Sequence, residues 1–378
     1  MKSKRILQII SAVLIGGLFY WAFLYKTPDE KHFAATLAEA QKGNISAQVE
    51  AGDLYAQGKG TAQQGEQALS WYRKAALEGD TTALWKCADL YIRGEIIVQD
   101  LEEAVPFLQL AAKQGNISAQ RELARFYEQG LGGLPKHPAE SLYWNFLAAQ
   151  AGDVQAREAV AQVGQQQPLL AASVKRFIEE LEAAHEGDKE SRLRVGEAYK
   201  RGEPILANGE EAAYWLEQAW KENNFPQAGY ALALLYQSGE AGLPANPDGA
   251  NKLLGELAQI SYPPAQYTLG ELAYKNEPPK YEDAFAWFSN AAAGSYAPGQ
   301  YMTGFMLMQG QGTTRSVPLA ITYFRSAAEQ DYVDAQYVLG QIYWKGLGVP
   351  ADKKAGRKWL ERAAANGNEA ARHLLANK

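Results

Sequence analysis

Residues 335–367 read AQYVLGQIYWKGLGVPADKKAGRKWLERAAANG, and this stretch decides the fold. Ala335, Leu339, Gly340 and Tyr343 fall at i, i+4, i+5 and i+8, which puts small and large apolar residues on one stripe of a first helix. Gly346 and Gly348 then interrupt the pattern. Without a Cβ, glycine takes the left-handed conformation that ends a helix and lets the chain reverse. Asp352 is placed to cap a second helix, which carries Trp359, Leu360, Ala363 and Ala364 on its inner face and stops at Gly367. Asn368 caps the next helix and Ala371 restarts the cycle. The unit is a helical hairpin, with alanines where helices approach closely and one large aromatic filling the gap.

Walking back from Ala371, equivalent positions are Ala335, Gly299, Ala265, Ala228, Ser191, Ala156, Ala119, Ala83 and Ala47, spaced by 34 to 37 residues. Nine consecutive helix-turn-helix units of that period predict a solenoid. The last unit carries Leu339, Gly340, Tyr343, Gly346, Gly348, Trp359, Ala363, Ala364, Gly367 and Asn368. The first carries Tyr55, Gly58, Gly60, Ala68, Trp71, Ala75, Ala76, Gly79 and Asp80. This pattern resembles the Sel-one-like repeats, close relatives of the tetratricopeptide repeats. The resemblance implies an all-α fold, a right-handed α/α superhelical solenoid of about nine repeats, whose tryptophan positions Trp71, Trp144, Trp215, Trp287 and Trp359 are structural. It also implies an adaptor in assembly or signalling, because what such repeats share is packing and not chemistry.

The 378 residues carry a net charge of -6 with no Lys/Arg cluster outside the extreme N-terminus, which argues against a nucleic-acid partner. The single cysteine, Cys87, excludes an intrachain disulfide. Some disulfide-rich relatives staple each hairpin with a cysteine pair; this chain departs from them and must hold its hairpins by packing alone.

At the N-terminus, Lys2, Lys4 and Arg5 precede an uncharged apolar run, Ile6 to Tyr25. Twenty residues of helix span roughly 30 Å, the thickness of a bilayer core. Tyr20, Trp21 and Tyr25 cluster at its far end, where interfacial aromatics belong, and no small-x-small cleavage site follows. The expectation is one transmembrane signal anchor at 6–25 behind a cytoplasmic basic tail at 1–5, with the solenoid on the far side. In a bacterium that means a single-pass protein of the inner membrane facing the periplasm.

A capping helix is expected at 29–46 and an N-terminal repeat arm at 47–164. In the fourth unit Gly164 stands at the tyrosine position, Gln165, Gln166, Gln167 and Pro168 replace the turn glycines, and Glu179 stands at the tryptophan position. Residues 165–190 are therefore expected to be a degenerate repeat or joint before a C-terminal arm at 191–378. Asp100 with Glu103 and Asn208 with Glu211 have the spacing of capping boxes.

Chemistry is sparsely encoded. The four histidines lie in different units without paired-ligand spacing, and no GxSxG, S-x-x-K or Walker sequence is present. Cys87 fits a buried, inert thiol. No catalytic residue, metal site or cofactor is expected. Binding is better supported, since the first helices of stacked hairpins line a surface that cradles partners. Two residues after each unit's start stand Trp85, Tyr230, Tyr267, Tyr301 and Tyr337; Tyr230 and Tyr267 are expected to pack against the next unit. Asp53 and Asp89, six residues after the start, give a solvated acidic face in the first units. In the last two units the face turns apolar, and Tyr301, Phe305, Met308, Tyr337, Gln341 and Trp344 are the candidate partner-binding set. The expected partner is another envelope or periplasmic protein. A cell-wall or exported polysaccharide is the alternative, and an envelope enzyme that acts on β-lactams is a weaker one.

Overall fold

Asparagine or aspartate at a recurring position starts most of the first helices. Asn44, Asp80, Asn116, Asp153, Asp188 and Asn368 each accept a hydrogen bond from the backbone N–H three residues on, at 2.7–3.0 Å. Asp100 and Asn208 cap second helices in the same way. The computed structural model describes residues 26–376, and among them are twenty helices and no strand. A single helix, α1 (Pro28–Gln41), leads into four hairpins: α2 (Ile45–Gln57) with α3 (Gly65–Leu77), α4 (Thr81–Arg93) with α5 (Leu101–Lys113), α6 (Ile117–Gln129) with α7 (Pro138–Gln150), and α8 (Val154–Gln166) with α9 (Pro168–His185). Next come α10 (Lys189–Arg201) with α11 (Gly209–Asn223), α12 (Pro226–Ser238) with α13 (Pro247–Gln259), and α14 (Pro263–Lys275) with α15 (Tyr281–Ala293). The last pairs are α16 (Ala297–Gln309) with α17 (Val317–Glu329) and α18 (Val333–Lys345) with α19 (Lys353–Ala365), closed by α20 (Glu369–Ala376).

Two compact units divide the chain. One runs to Glu179 and includes Pro204–Leu206; the other comprises Glu180–Glu203 and everything from Ala207. In the fourth hairpin one residue, Gln167, separates the helices, and α9 runs to 18 residues where most of the others have 13. Among the described residues no helix is long and apolar enough to cross a membrane. The expected anchor at 6–25 lies outside the described residues.

Seven of the nine hairpins are built around one close approach. The fully or almost fully buried wedge is the residue after the tryptophan position: Tyr72, Leu108, Leu216, Leu254, Phe288, Phe324 and Leu360. Facing it on the first helix is a glycine or alanine. A Cβ on Gly52 would lie 2.4 Å from the Tyr72 ring, on Gly270 2.7 Å from Phe288, and on Gly340 2.8 Å from Leu360. The tryptophans flank this contact. Trp71, Trp144 and Trp215 are buried, whereas Trp287 and Trp359 stay half-buried, so in the last repeats the gap-filling role expected of tryptophan belongs to its neighbour.

Two further devices join successive hairpins. The glutamine after the starting alanine donates its amide to a carbonyl near the end of the preceding second helix: Gln48 to Ala40, Gln120 to Ala112, Gln266 to Ala258 and Gln336 to Ala328, at 3.1–3.4 Å. Arg192 and Arg372 make the same reach to Ala184 and Ala364. Each of these carbonyls also accepts the turn N–H three residues on, so the side chain is a second donor to the helix end. The second turn glycine presses backbone on backbone. In Gly312, at φ +65, an added Cβ would sit 2.0 Å from the carbonyl oxygen of Tyr281, the first residue of α15.

Among the described residues of the N-terminal unit, one carboxyl is buried. Glu140, 8% exposed, accepts a 2.9 Å hydrogen bond from the Leu206 backbone N–H, beside the buried Ile205. Burial pushes its pKa up, against the opposing pull of that bond. A carboxyl whose folded pKa is raised contributes stability that is fully present below its unfolded value and is lost as pH rises through the folded one. Glu140→Gln keeps an acceptor for Leu206 and removes the charge. Melting curves from pH 4 to 8 are therefore expected to show the variant more stable than the wild type at pH 7, with the gap closing toward acid pH. A variant less stable at pH 7 would mean that the hydrogen bond needs the ionised carboxylate.

Candidate functional site

The first helices of the C-terminal repeats present the candidate side chains. Tyr301 and Phe305 on α16 lie one turn apart and are half-buried, with Met308 further along the same helix. All three pack partly against the core formed by Leu307, Phe324, Leu339 and Ile342, and Phe305 also touches the core around Phe288. The Tyr301 ring is 5.7 Å from Phe324 and 5.3 Å from Tyr332. On α18, Gln341 donates a 2.7 Å hydrogen bond to the Tyr337 hydroxyl, and both side chains are half-buried.

Trp344 does not join this surface. It is 8% exposed and packs in a core with Leu360 and Ala363 of α19 and Ala371 of α20. Gly356 allows this, because a Cβ there would lie 2.7 Å from the Trp344 backbone nitrogen, and the Arg357 guanidinium covers the ring at 5.6 Å. The expectation that Trp344 belongs to the partner-binding face fails here, because α19 crosses over it.

The acidic face expected in the first units is also partly enclosed. Asp53 accepts from the Tyr72 hydroxyl at 2.5 Å and from Lys86 Nζ at 2.6 Å, and Asp89 pairs with Arg93 at 2.7 Å. These residues line a recess of about 310 Å³ in which these two carboxylates are each met by a cation. Burial and the Asp53 carboxylate together push the Tyr72 phenol far up, so it stays a neutral donor. Cys87 is fully buried and its thiol is pushed up to about 12 by burial, which makes it unreactive. Among the described residues no group of three His, Cys, Asp or Glu side chains is placed to hold a metal ion.

The tyrosines at N-cap positions escaped sequence reasoning. Tyr262, Tyr296 and Tyr332 occupy the place held elsewhere by Asn or Asp and make no side-chain cap hydrogen bond. Each instead meets the tyrosine of the preceding first helix: Tyr230–Tyr262 at 5.8 Å, Tyr267–Tyr296 at 5.7 Å and Tyr301–Tyr332 at 5.3 Å between ring centroids. The available signal was the loss of Asn and Asp at a position where five of the first seven caps have one.

A stack of helical hairpins with glycine turns, interlocked by alanine, glycine and a buried wedge, defines an α/α repeat protein. The chain belongs to the Sel1 repeat family: the Sel1 repeat model matches residues 45–80, 81–116, 117–153, 189–224, 226–259, 263–296, 297–332 and 333–368. The unmatched stretch, 154–188, holds the short-turned hairpin α8–α9. Repeats of this type generally form scaffolds for protein–protein interaction. No curated protein sequence matches the chain. Similar solved structures include a protective antigen of uropathogenic Escherichia coli displaying an SLR fold, 26% identical over 88% of this chain and 79% of that one, with a TM-score of 0.45. A Sel1 repeat protein from Oxalobacter formigenes is 24% identical over 91% and 90%, with a TM-score of 0.47. An immunity protein from Pseudomonas aeruginosa is 20% identical over 50% and 73%, with a TM-score of 0.36.

Proposed function

We propose that the chain is a non-enzymatic scaffold of the bacterial cell envelope, anchored in the inner membrane by residues 6–25 and binding a partner protein of the envelope through the first helices of its C-terminal repeats. The observation that carries this reading is the half-buried run of Tyr301, Phe305 and Met308 on α16 beside Tyr337 and Gln341 on α18. Large side chains held partly rigid by a core beneath them lose little freedom when a partner covers them, which is the character of binding hot spots. The uncharged run Ile6 to Tyr25, preceded by Lys2, Lys4 and Arg5, supports the anchoring.

Crosslinking in intact cells, followed by purification from membranes, tests the reading with a Phe305→Ala, Gln341→Ala double variant whose circular dichroism melt matches the wild type. The expected result is recovery of one specific envelope protein with the wild type and a loss of affinity by about 2 kcal/mol or more in the variant. An unchanged partner set would move the site off this face. Recovery of the protein in the soluble fraction of cells would remove the anchor.

A further inference from the structure

The tyrosines of α12, α14 and α16 recur as three successive pairs. Tyr230, Tyr262, Tyr267, Tyr296, Tyr301 and Tyr332 are all half-buried, and within each of the three pairs the rings meet within 6 Å. A tyrosine at the N-cap forgoes the capping bond that Asn or Asp supplies in the other repeats. That exchange happens three times in succession. Ring packing alone would be served by phenylalanine, yet only the Tyr230 hydroxyl has a protein partner, Thr268 at 3.0 Å. The hydroxyls of Tyr262, Tyr267, Tyr296, Tyr301 and Tyr332 make no hydrogen bond to another described residue, so their oxygens are left for something outside the fold.

Carboxylates act on this face. Glu271 and Asp334 are the ionised side chains whose fields reach these rings, and both carboxylates add to burial in holding the phenols up. Asp334 has no salt bridge among the described residues, and Glu271 has only the surface pair with Lys275 at 3.3 Å. Aromatic faces carry negative charge and attract cations, and guanidinium groups stack on them while donating to nearby oxygens. The chain already uses this contact internally. Arg73 lies 5.8 Å over Tyr91 and donates to its hydroxyl, and Arg325 donates to the Tyr343 hydroxyl at 2.6 Å.

We propose that this tyrosine face, with Glu271 and Asp334 at its edge, binds an arginine-bearing extended segment of the partner protein. The proposal rests on the protein-scaffold reading and deepens it. Guanidinium groups would stack on the exposed rings, the free phenol oxygens would accept from them, and the two carboxylates would supply the charge. The net charge of -6 favours approach of such a segment.

Fluorescence anisotropy on the full-length, detergent-solubilised chain tests this with a fluorescein-labelled alternating Ser-Arg octapeptide and its Ser-Gln counterpart. The arginine peptide is expected to bind, and the glutamine peptide to bind at least tenfold more weakly. Glu271→Gln with Asp334→Asn should weaken the arginine peptide by about tenfold. Glu66→Gln with Glu102→Gln removes the same charge from exposed positions in the other unit and should leave binding unchanged. Tyr296→Leu keeps an apolar contact to Tyr267 and removes the aromatic face, and is expected to weaken binding severalfold. Equal losses from the two carboxylate pairs, or none from either, would overturn the site. Binding of an N-acetylglucosamine hexamer in preference to both peptides would overturn the proposal in favour of a glycan. Should the peptides fail while the crosslinked envelope protein is still lost on Phe305→Ala, Gln341→Ala, the scaffold reading stands and the cationic partner does not.

Discussion

Phe324→Ala is expected to cost about 3–5 kcal/mol of stability in the C-terminal unit. Phe324 is 1% exposed and lies in a core with Leu307 of α16, Ile321 of its own helix and Leu339 and Ile342 of α18. Its ring rests on Gly304, where a Cβ would come within 3.1 Å. Truncation leaves a void between two helices, and neither can move in to fill it without pulling away from its other neighbour. The cost therefore combines lost transfer energy with a cavity that does not collapse. Trp359→Ala should cost less, because that side chain stays half-buried with Arg362 over its face at 4.9 Å. Thermal melts of both variants check the order; a larger loss for Trp359→Ala would show that the tryptophan, not the residue after it, is the wedge.

Gly312→Ala should be nearly as damaging for the addition of one methyl group. At φ +65 a side chain costs roughly 1–2 kcal/mol in local strain. The added Cβ would also meet the Tyr281 carbonyl oxygen at 2.0 Å and the Glu282 nitrogen at 2.8 Å, backbone atoms that cannot rotate aside. Forced overpacking adds roughly 1–3 kcal/mol. Gly242→Ala in the same unit supplies the control, since Gly242 has φ +80 with nothing within 4 Å of an added Cβ. The difference in melting temperature between the two variants reads the steric part alone. Equal melting temperatures would mean that the turn shifts freely off α15.

The hairpin register was legible because glycine and alanine mark where backbones meet, and those positions recur whatever else drifts. Gly346 and Gly348 announced the last turn, and Asp352 and Asn368 announced its caps, as the structure has them. Depth was less legible. A repeat pattern marks Trp359 as readily as Leu360, but the side chain opposite Gly340 is the one that sinks. Trp344 looked like a surface residue because its burial depends on α19 crossing over it, a contact that helical periodicity in α18 alone does not contain. The tyrosine face was hidden for a related reason. Tyr296 and Tyr332 stand between hairpins in the sequence, and only the stacking of one hairpin on the next brings them to Tyr267 and Tyr301.

The glutamine reach from one hairpin to the one before has a genetic corollary. Donor and acceptor sit eight residues apart on either side of the asparagine or aspartate cap, as in Gln120 and Ala112 around Asn116. A tandem copying event that begins at one such cap and ends at the next carries a complete donor and a complete acceptor into the longer chain, and its deletion removes one of each. The seam therefore heals wherever it is made in this phase, so the gene can lengthen or shorten by whole hairpins. An exchange that is not a whole number of repeats would leave a buried amide to find a new acceptor.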